Sequence, residues 1–191
     1  MNKYIELIKG KLSEERFTHS IMTADMCREL AENHGYDPEK AYLAGLLHDI
    51  CKEESETELK RLAFSHSLES ANRSLDPLEK EIRKLWHAPA GAVYICEVLG
   101  INDTELISAV RFHTVGRAAM SKLEKIIYLG DLVERSREYP DIEKYREYVL
   151  FDLDLGMYEA LKWSISECLT EKKQISRYTY EAYNYYVKKK G

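Results

Sequence analysis

The stretch "AGLLHDICK", residues 44–52, sets His48 and Asp49 side by side in a run that is otherwise apolar and helix-forming. Asp37-Pro38-Glu39 precedes it and reads as a helix start, with Asp as N-cap, Pro at the first helical position and an acid in the first turn. The pattern predicts a helix that begins at Pro38 and carries the His-Asp pair. Ala41, Ala44 and Gly45 lie one and two turns before His48 and leave room beside the imidazole, and Lys52 lies one turn after it. Two ionisable groups on a core-facing helix are costly unless partners meet them. A His and a carboxylate close on one cation only when other helices supply further ligands.

Other segments read as such helices. Ser13 with Glu14 and Glu15 starts one that runs to about His34, where Gly35 acts as the stop, and it holds His19. Ser121 and Glu124 stand at capping-box spacing before Leu123, Ile126, Ile127 and Val133 at helical intervals; this segment ends before Pro140 and holds Asp131. "DPLEKEIRKLW" (76–86), "HAPAGAVYICEVLG" (87–100), "DTELISAVRFHT" (103–114) and two late segments near 154–171 and 179–190 are of the same kind. No strand-like alternation, internal repeat, low-complexity tract or flexible linker stands out. An all-α fold is expected.

With 191 residues, 45% hydrophobic and 32% charged, the chain is long enough to bury a sizeable core and short enough for one domain. A formal charge of -5 offers no general attraction for nucleic acid or an anionic membrane, so a polyanionic ligand needs a local positive site. "MNKYIELIKGKLSEE" lacks a secretory h-region and no apolar run approaches a membrane span, which places the protein in the cytoplasm as an expectation. Cys27, Cys51, Cys96 and Cys168 are scattered without CxxC spacing and read as reduced core thiols. The tyrosines of "YTYEAYNYYVKKKG" read as amphipathic packing in preference to a base-stacking platform.

Among the six histidines, His19 in "RFTHS", His87 in "WHAPAG" and His113 in "RFHTVGR" join His48 in distinctive settings, while His34 and His66 look like surface or capping residues. Asp131 in "YLGDLVE" has two readings: an ion pair with Arg135 four residues on, or a ligand to a cation. Lys52 is either a phosphate clamp or a solvated lysine. Arg111 and Arg117 flank His113 and are candidates to enlarge a positive pocket.

The ordered set His19, His48-Asp49, Asp131 resembles the HD superfamily of metal-dependent phosphohydrolases, whose signature is H…HD…D on a helical bundle. With "WHAPAG", "RFHT.GR..MS.LEKIIYLGDL.E..R" and the late "Y..EAYN", the chain is similar, from about residue 3 to residue 187, to the bacterial symmetrical bis(5'-nucleosyl)-tetraphosphatase (YqeK) family. The resemblance implies a single HD-type helical bundle over 1–191, with an HD core about 13–138 and C-terminal helices about 152–190 that pack on it and close the nucleotide pocket. It implies a metal, iron first and manganese or cobalt as alternatives, held by residues matching His19, His48, Asp49 and Asp131. A second metal between Asp49 and the two later histidines is a variant. Nucleotide contacts carried over are His19, His48, His87, His113 with Thr114, Asp131, Arg137 in "ERSR", and the segment Gln174, Ile175, Ser176, Arg177, Tyr178, Thr179. Where many relatives are expected to carry a His-Pro pair before the last helix, this chain reads Ser176-Arg177, and Arg177 is either a further positive contact or a solvated loop residue.

The implied reaction is hydrolysis of a dinucleoside tetraphosphate at its centre to two nucleoside diphosphates, with His48, Asp49, Lys52, His87 and His113 as the catalytic set. Such chemistry needs water made nucleophilic near neutral pH and charge neutralised on phosphoryl oxygens, and a cation with positions left open does both. The expected partners are the dinucleoside polyphosphate or a nucleoside diphosphate; nucleic acid and membrane are not expected, and a homodimer is left open. Another HD-type nucleotide phosphohydrolase and a non-catalytic nucleotide-binding sensor are the alternatives.

Overall fold

The computed structural model describes residues 1–66, 68 and 74–190. Among these the chain forms eleven α-helices and one 3-10 turn, with no strand. They are α1 (Asn2–Lys11), α2 (Glu14–Asn33), α3 (Pro38–Leu47), α4 (Glu56–Ala63), α5 (Pro77–Glu81), the 3-10 turn Arg83–Leu85, α6 (His87–Glu97), α7 (Thr104–Phe112), α8 (Lys122–Val133), α9 (Ile142–Phe151), α10 (Leu153–Thr170) and α11 (Arg177–Lys190). The all-α reading holds, and no helix among the described residues is long and apolar enough to cross a membrane.

Local caps set most boundaries. Ser13 accepts from Arg16 N to start α2, Asp37 accepts from Glu39 N and Lys40 N to start α3, and Ser121 and Glu124 form a reciprocal capping box at α8. Gly35 follows α2 with φ +63°, the left-handed conformation that releases the chain from the helix.

The His-Asp pair does not ride inside its helix as expected. α3 stops at Leu47, His48 takes the C-cap position, and Asp49 lies in the turn beyond. The Gly45 carbonyl is taken by His48 Nδ1 at 2.6 Å, and the backbone tightens into three-residue bonds from Ile50 N to Leu47 O and from Lys52 N to Asp49 O. Leaving the helix there turns two consecutive side chains toward the same interior.

α2 is the central rod, with α3 and α8 packed against it. Their approach depends on Cys27: a Cβ at Gly45 of α3 would lie 2.9 Å from Cys27 Sγ, and one at Gly130 of α8 would lie 2.6 Å from the same atom. This close contact brings His19, the end of α3 and Asp131 to one end of the bundle. α6 and α7 pack together on the other side of that end, and α10 joins α8, α9 and α11.

A buried polar knot ties the late helices to the core. Arg111, 0% exposed, donates from both terminal nitrogens to Glu79 at 2.7 Å each, while Glu79 also accepts from Asp76 N at 2.9 Å. Asp76 caps α5 through Glu79 N at 2.7 Å, and its other oxygen receives Ser176 Oγ and, at 2.8 Å, Arg177 N at the start of α11. One carboxylate therefore caps two helices a hundred residues apart.

The cysteines are free, and Cys27 and Cys51 are buried as expected, but Cys96 and Cys168 are only half-buried because they lie in the last turns of α6 and α10, where those helices leave the core. In the last helix Tyr186 is buried and Tyr183 and Tyr185 pack on the core, which supports the packing reading of that tyrosine cluster.

Candidate metal centre and phosphate site

His19 comes from α2, His48 and Asp49 from the end of α3, His87 from the first turn of α6, His113 from the end of α7, and Asp131 from α8. All four imidazoles point Nε2 at a common centre and hold Nδ1 outward. His48 Nδ1 donates to Gly45 O at 2.6 Å, His87 Nδ1 to Lys84 O at 2.8 Å, and His113 Nδ1 to Val110 O at 2.7 Å. In each of the three the acceptor is the carbonyl three residues back, so the ring is oriented by its own turn of chain. His19 Nδ1 faces Glu134 Oε1 at 3.3 Å. Outward Nδ1 protons fix the tautomer and leave each Nε2 a lone-pair donor, the usual support of a ligating histidine.

Four donor atoms lie close together. His19 Nε2 is 3.1 Å from Asp131 Oδ1 and 3.3 Å from His48 Nε2, and His48 Nε2 is 3.5 Å from Asp49 Oδ2. His19 is 3.9 Å from Asp49, and His48 is 4.0 Å from Asp131. The point equidistant from the His19, His48 and Asp131 donors lies about 2 Å from each, the bond length of nitrogen and oxygen ligands to a first-row metal. With the proton on Nδ1, the facing Nε2 atoms of His19 and His48 turn their lone pairs to one place, which a cation between them satisfies. The donor set therefore fits a divalent metal.

The second pair is supplied differently. His87 Nε2 and His113 Nε2 are also 3.3 Å apart, but Lys52 Nζ stands 3.1 Å from His87 Nε2, and Thr114 Oγ1 lies 3.3 Å and 3.2 Å from the two rings. Asp49 joins the two halves. Its Oδ2 faces His48 and receives Arg16 Nη1 at 3.0 Å, whereas Oδ1 faces His87 at 3.3 Å, His113 at 3.6 Å and the Lys52 ammonium at 3.6 Å, and is buried with no hydrogen-bond partner among the described residues. An orphaned buried carboxylate oxygen marks a place for a cation or a donor.

Charge states follow the same division. Burial alone would push the Asp49 carboxyl up, but His48, His113 and His87 hold it well below its usual range. Asp131 is likewise lowered, because the His19 hydrogen bond and the nearby His48 outweigh burial. Burial drives His87 down to about 3 and lowers His113 too, so both rings are neutral near pH 7. His19 goes the other way: hydrogen bonds to Asp131 and Glu134 outweigh burial and raise it.

Other expected residues fall at different distances from this centre. Arg137 Nη2 donates to Asp131 Oδ1 at 2.7 Å, while Arg135 pairs with Glu29 at 2.8 Å, so the Asp131–Arg135 pair is not formed. Arg111 and Arg117 do not enlarge the positive pocket. Arg111 is locked to Glu79, and Arg117 is held at both ends of its fork by Glu124 at 2.7 Å and 2.6 Å. Bidentate pairing neutralises them where they stand. In the segment 174–179, Thr179 Oγ1 donates to Val115 O at 2.8 Å and the Tyr178 ring meets Phe112 edge-on, against the stretch that carries His113 and Thr114. Ser176 is engaged by Asp76, Arg177 is exposed and paired with Glu181 at 2.9 Å, and Gln174 and Ile175 line a shallow hollow beside α5. These last four do not reach the ligand cluster.

Two residues to which the sequence reading gives no role stand beside the ligand cluster. Arg16 lies three residues before His19 and Glu134 three after Asp131, so each shares a face with a ligand, and helical spacing alone would have nominated them. Two hollows open from the centre. A cleft of about 730 Å³ is entered past Arg16 and His19, and a smaller one of about 300 Å³ past His113, Thr114 and Asp131; Arg137 and Tyr139 line both.

Residues 16–136 match the HD domain family. The symmetrical bis(5'-nucleosyl)-tetraphosphatase of Halalkalibacterium halodurans is 35% identical over 95% of this chain and 94% of its own length. The protein of the same description from Staphylococcus aureus is 31% identical over 97% of this chain and 94% of its own. A crystal structure of an HD superfamily hydrolase described as involved in NAD metabolism, from Clostridium acetobutylicum, is 29% identical and superposes with a TM-score of 0.89 over 98% of this chain and 97% of that one. His19, His48 and Asp131 form one group of donors and His48, Asp49 and His113 another, and the chain belongs to the HD domain family, in the branch of the symmetrical bis(5'-nucleosyl)-tetraphosphatases.

Proposed function

We propose that the protein is a metal-dependent hydrolase that cleaves diadenosine tetraphosphate and related dinucleoside tetraphosphates symmetrically, to two nucleoside diphosphates. The observation that carries this reading is the two-sided Asp49: one oxygen joins the His19 and His48 donors and the other faces a pair of neutral imidazoles with Lys52 and Thr114 beside them. His19, His48, Asp49 and Asp131 hold the cation, which is iron, with manganese and cobalt also suited to a mixed imidazole and carboxylate set. When bound, it supplies Lewis acidity that polarises a phosphoryl oxygen and makes water nucleophilic near neutral pH.

The remaining groups bind and order a tetraphosphate in a protein of net charge -5. Lys52, Arg16 and Arg137 supply positive charge within reach of the centre, and the Thr114 hydroxyl donates to a phosphoryl oxygen. Water bonds to one of the two inner phosphorus atoms, the bridge to the other inner phosphorus breaks, and the bridging oxygen leaves with the second nucleoside diphosphate. His113, with Nε2 turned inward, accepts the proton that the water loses and returns it to the leaving oxygen, and His87, 3.3 Å from it, completes the pair of rings. Tyr178 and Thr179, packed against the stretch that carries His113 and Thr114, border the nucleotide pocket, and α10 adds Trp163 and Ser164 to its wall.

Chromatography of the products from diadenosine tetraphosphate, with iron, manganese, cobalt or no metal added, tests the reading. ADP as sole product, with activity and bound metal both lost in His48→Ala, is expected. AMP with ATP, or no cleavage by metal-loaded protein, would overturn it.

A further inference from the structure

We propose that the hollow bounded by Tyr139 and Trp163 seats one nucleobase of the dinucleotide, while the acidic cleft across Arg137 leaves the other base unread. The proposal rests on the hydrolase reading above and extends it to recognition.

A bond broken at the middle of a symmetrical molecule places that midpoint at the metal centre, so two arms of equal length must leave it in different directions. The two hollows provide those directions, and Arg137 and Tyr139 form the wall between them. They differ in chemistry. The smaller, about 300 Å³, runs from His113, Thr114 and Asp131 at the phosphate end to Tyr139, Trp163 and Ser164 at the far end. That volume is at the lower end for ligand pockets and suits one nucleoside arm.

Its far end is a prepared aromatic surface. The Tyr139 and Trp163 rings are nearly parallel, 11° apart with centroids at 5.2 Å, and Tyr145 braces both at 6.1 Å and 6.3 Å. Tyr139 is fixed further by its hydroxyl, which donates to Leu132 O at 2.8 Å. Both rings are only half-buried, which leaves ring surface for a base. Stacking on such a surface is strong and tolerant of base identity. The cleft on the other side has Arg16, His19 and Arg137 beside the centre and Glu14, Glu15 and Glu138 elsewhere on its wall, and among the described residues no Phe, Trp or Tyr lines it except the shared Tyr139. Carboxylates there repel phosphate beyond the centre and give a base no face to stack on, so the second nucleoside is accommodated without being selected.

Two measurements on metal-loaded protein test this. In the first, ADP titrated into wild type should quench tryptophan fluorescence, and the quench should vanish in Trp163→Phe. Trp86, buried with its indole N–H bonded to Glu79 O at 2.7 Å, is a constant background. In the second, Trp163→Leu should raise KM for diadenosine tetraphosphate roughly tenfold with kcat within about twofold, and Trp163→Phe should fall between it and wild type. Adenosine 5'-tetraphosphate, which has one base, should give wild type a KM within about threefold of the dinucleotide's, a difference small against the loss of a stacked base. An unchanged KM in Trp163→Leu, a quench that survives in Trp163→Phe, or a KM for adenosine tetraphosphate raised tenfold or more would overturn the proposal while leaving the hydrolase reading intact. No cleavage by wild type would overturn the hydrolase reading itself, and the ADP quench alone would then decide the aromatic seat.

Discussion

Replacing Gly130 by Ala puts the packing of the metal centre under test. The new Cβ would stand 2.6 Å from Cys27 Sγ, while its next neighbours, Cys27 N and Cα, lie at 3.6 Å and 3.7 Å, ordinary contact distances. The whole clash is thus with one atom, and that atom is fully buried between α3 and α8. Ala in a helix interior gains about 0.5–1 kcal/mol over Gly, but overpacking costs about 1–3 kcal/mol, so Gly130→Ala should destabilise by about 1–2 kcal/mol. Cys27→Ala alone removes a buried sulfur and should cost about 1 kcal/mol. Combined, the two changes exchange one volume for the other, and the double variant should be more stable than Gly130→Ala, with a coupling of about 2 kcal/mol. Gly45→Ala is the control: its Cβ meets Ala24 Cα at 2.9 Å as well as the sulfur, and Cys27→Ala cannot move a backbone atom. Urea unfolding of the three single variants and of the two doubles that include Cys27→Ala gives the energies, and metal affinity by chelator competition shows whether Asp131, the next residue, shifts with α8. Additive effects of Gly130→Ala and Cys27→Ala, or equal rescue of Gly45→Ala, would refute the reasoning.

Other expectations follow from the same contacts. Glu79→Gln should lose about 3–5 kcal/mol in urea unfolding because it leaves Arg111 buried with its charge unmatched, whereas Glu79→Leu with Arg111→Met should recover much of that loss. Glu134→Gln should weaken metal binding about 10–100-fold in chelator competition, since Glu134 orients His19 without itself being a metal donor. Burial pushes the Asp154 carboxyl up, but Lys125 and Lys189 pull it below its ordinary 3.8. A lowered carboxyl contributes stability above its unfolded pKa that is lost as pH falls through its folded one. The stability gap between wild type and Asp154→Asn, read from urea midpoints, should therefore be widest near neutral pH and close in acid below about pH 4.

Features written in neighbouring residues are legible in the sequence. Ser13, Asp37 and the Ser121–Glu124 box start their helices where the side chains say they should, because a cap is satisfied within three residues. The signature residues are equally plain, since His19, His48, Asp49 and Asp131 each sit at an apolar position that tolerates an ionisable group only with partners. What hides is pairing at a distance. Arg111 looks available beside His113 until Glu79, 32 positions earlier, claims it, and Arg137 rather than Arg135 reaches Asp131 because α8 ends at Val133 and the chain turns back. The departure of His48 and Asp49 from α3 is hidden for a different reason. A side chain takes over the Gly45 carbonyl that would have carried the helix on, and helix propensity does not register that competition.

The double cap at Asp76 has a consequence for the order in which the protein is made. Its second oxygen waits for Ser176 and Arg177, a hundred positions later, and His19 waits 115 positions for Glu134. At the usual pace of protein synthesis a hundred residues take roughly 5–20 s, long on the scale of helix formation. During that interval a nascent chain holds helices already capped while the residues that will complete its polar centre are still being added. The site's own residues are complete once Glu134 and Arg137 have been added, so slow translation of the segment between α3 and α8 lengthens the time for which His19, His48 and Asp49 stand without Asp131, while the cap that Asp76 gives α11 is closed last.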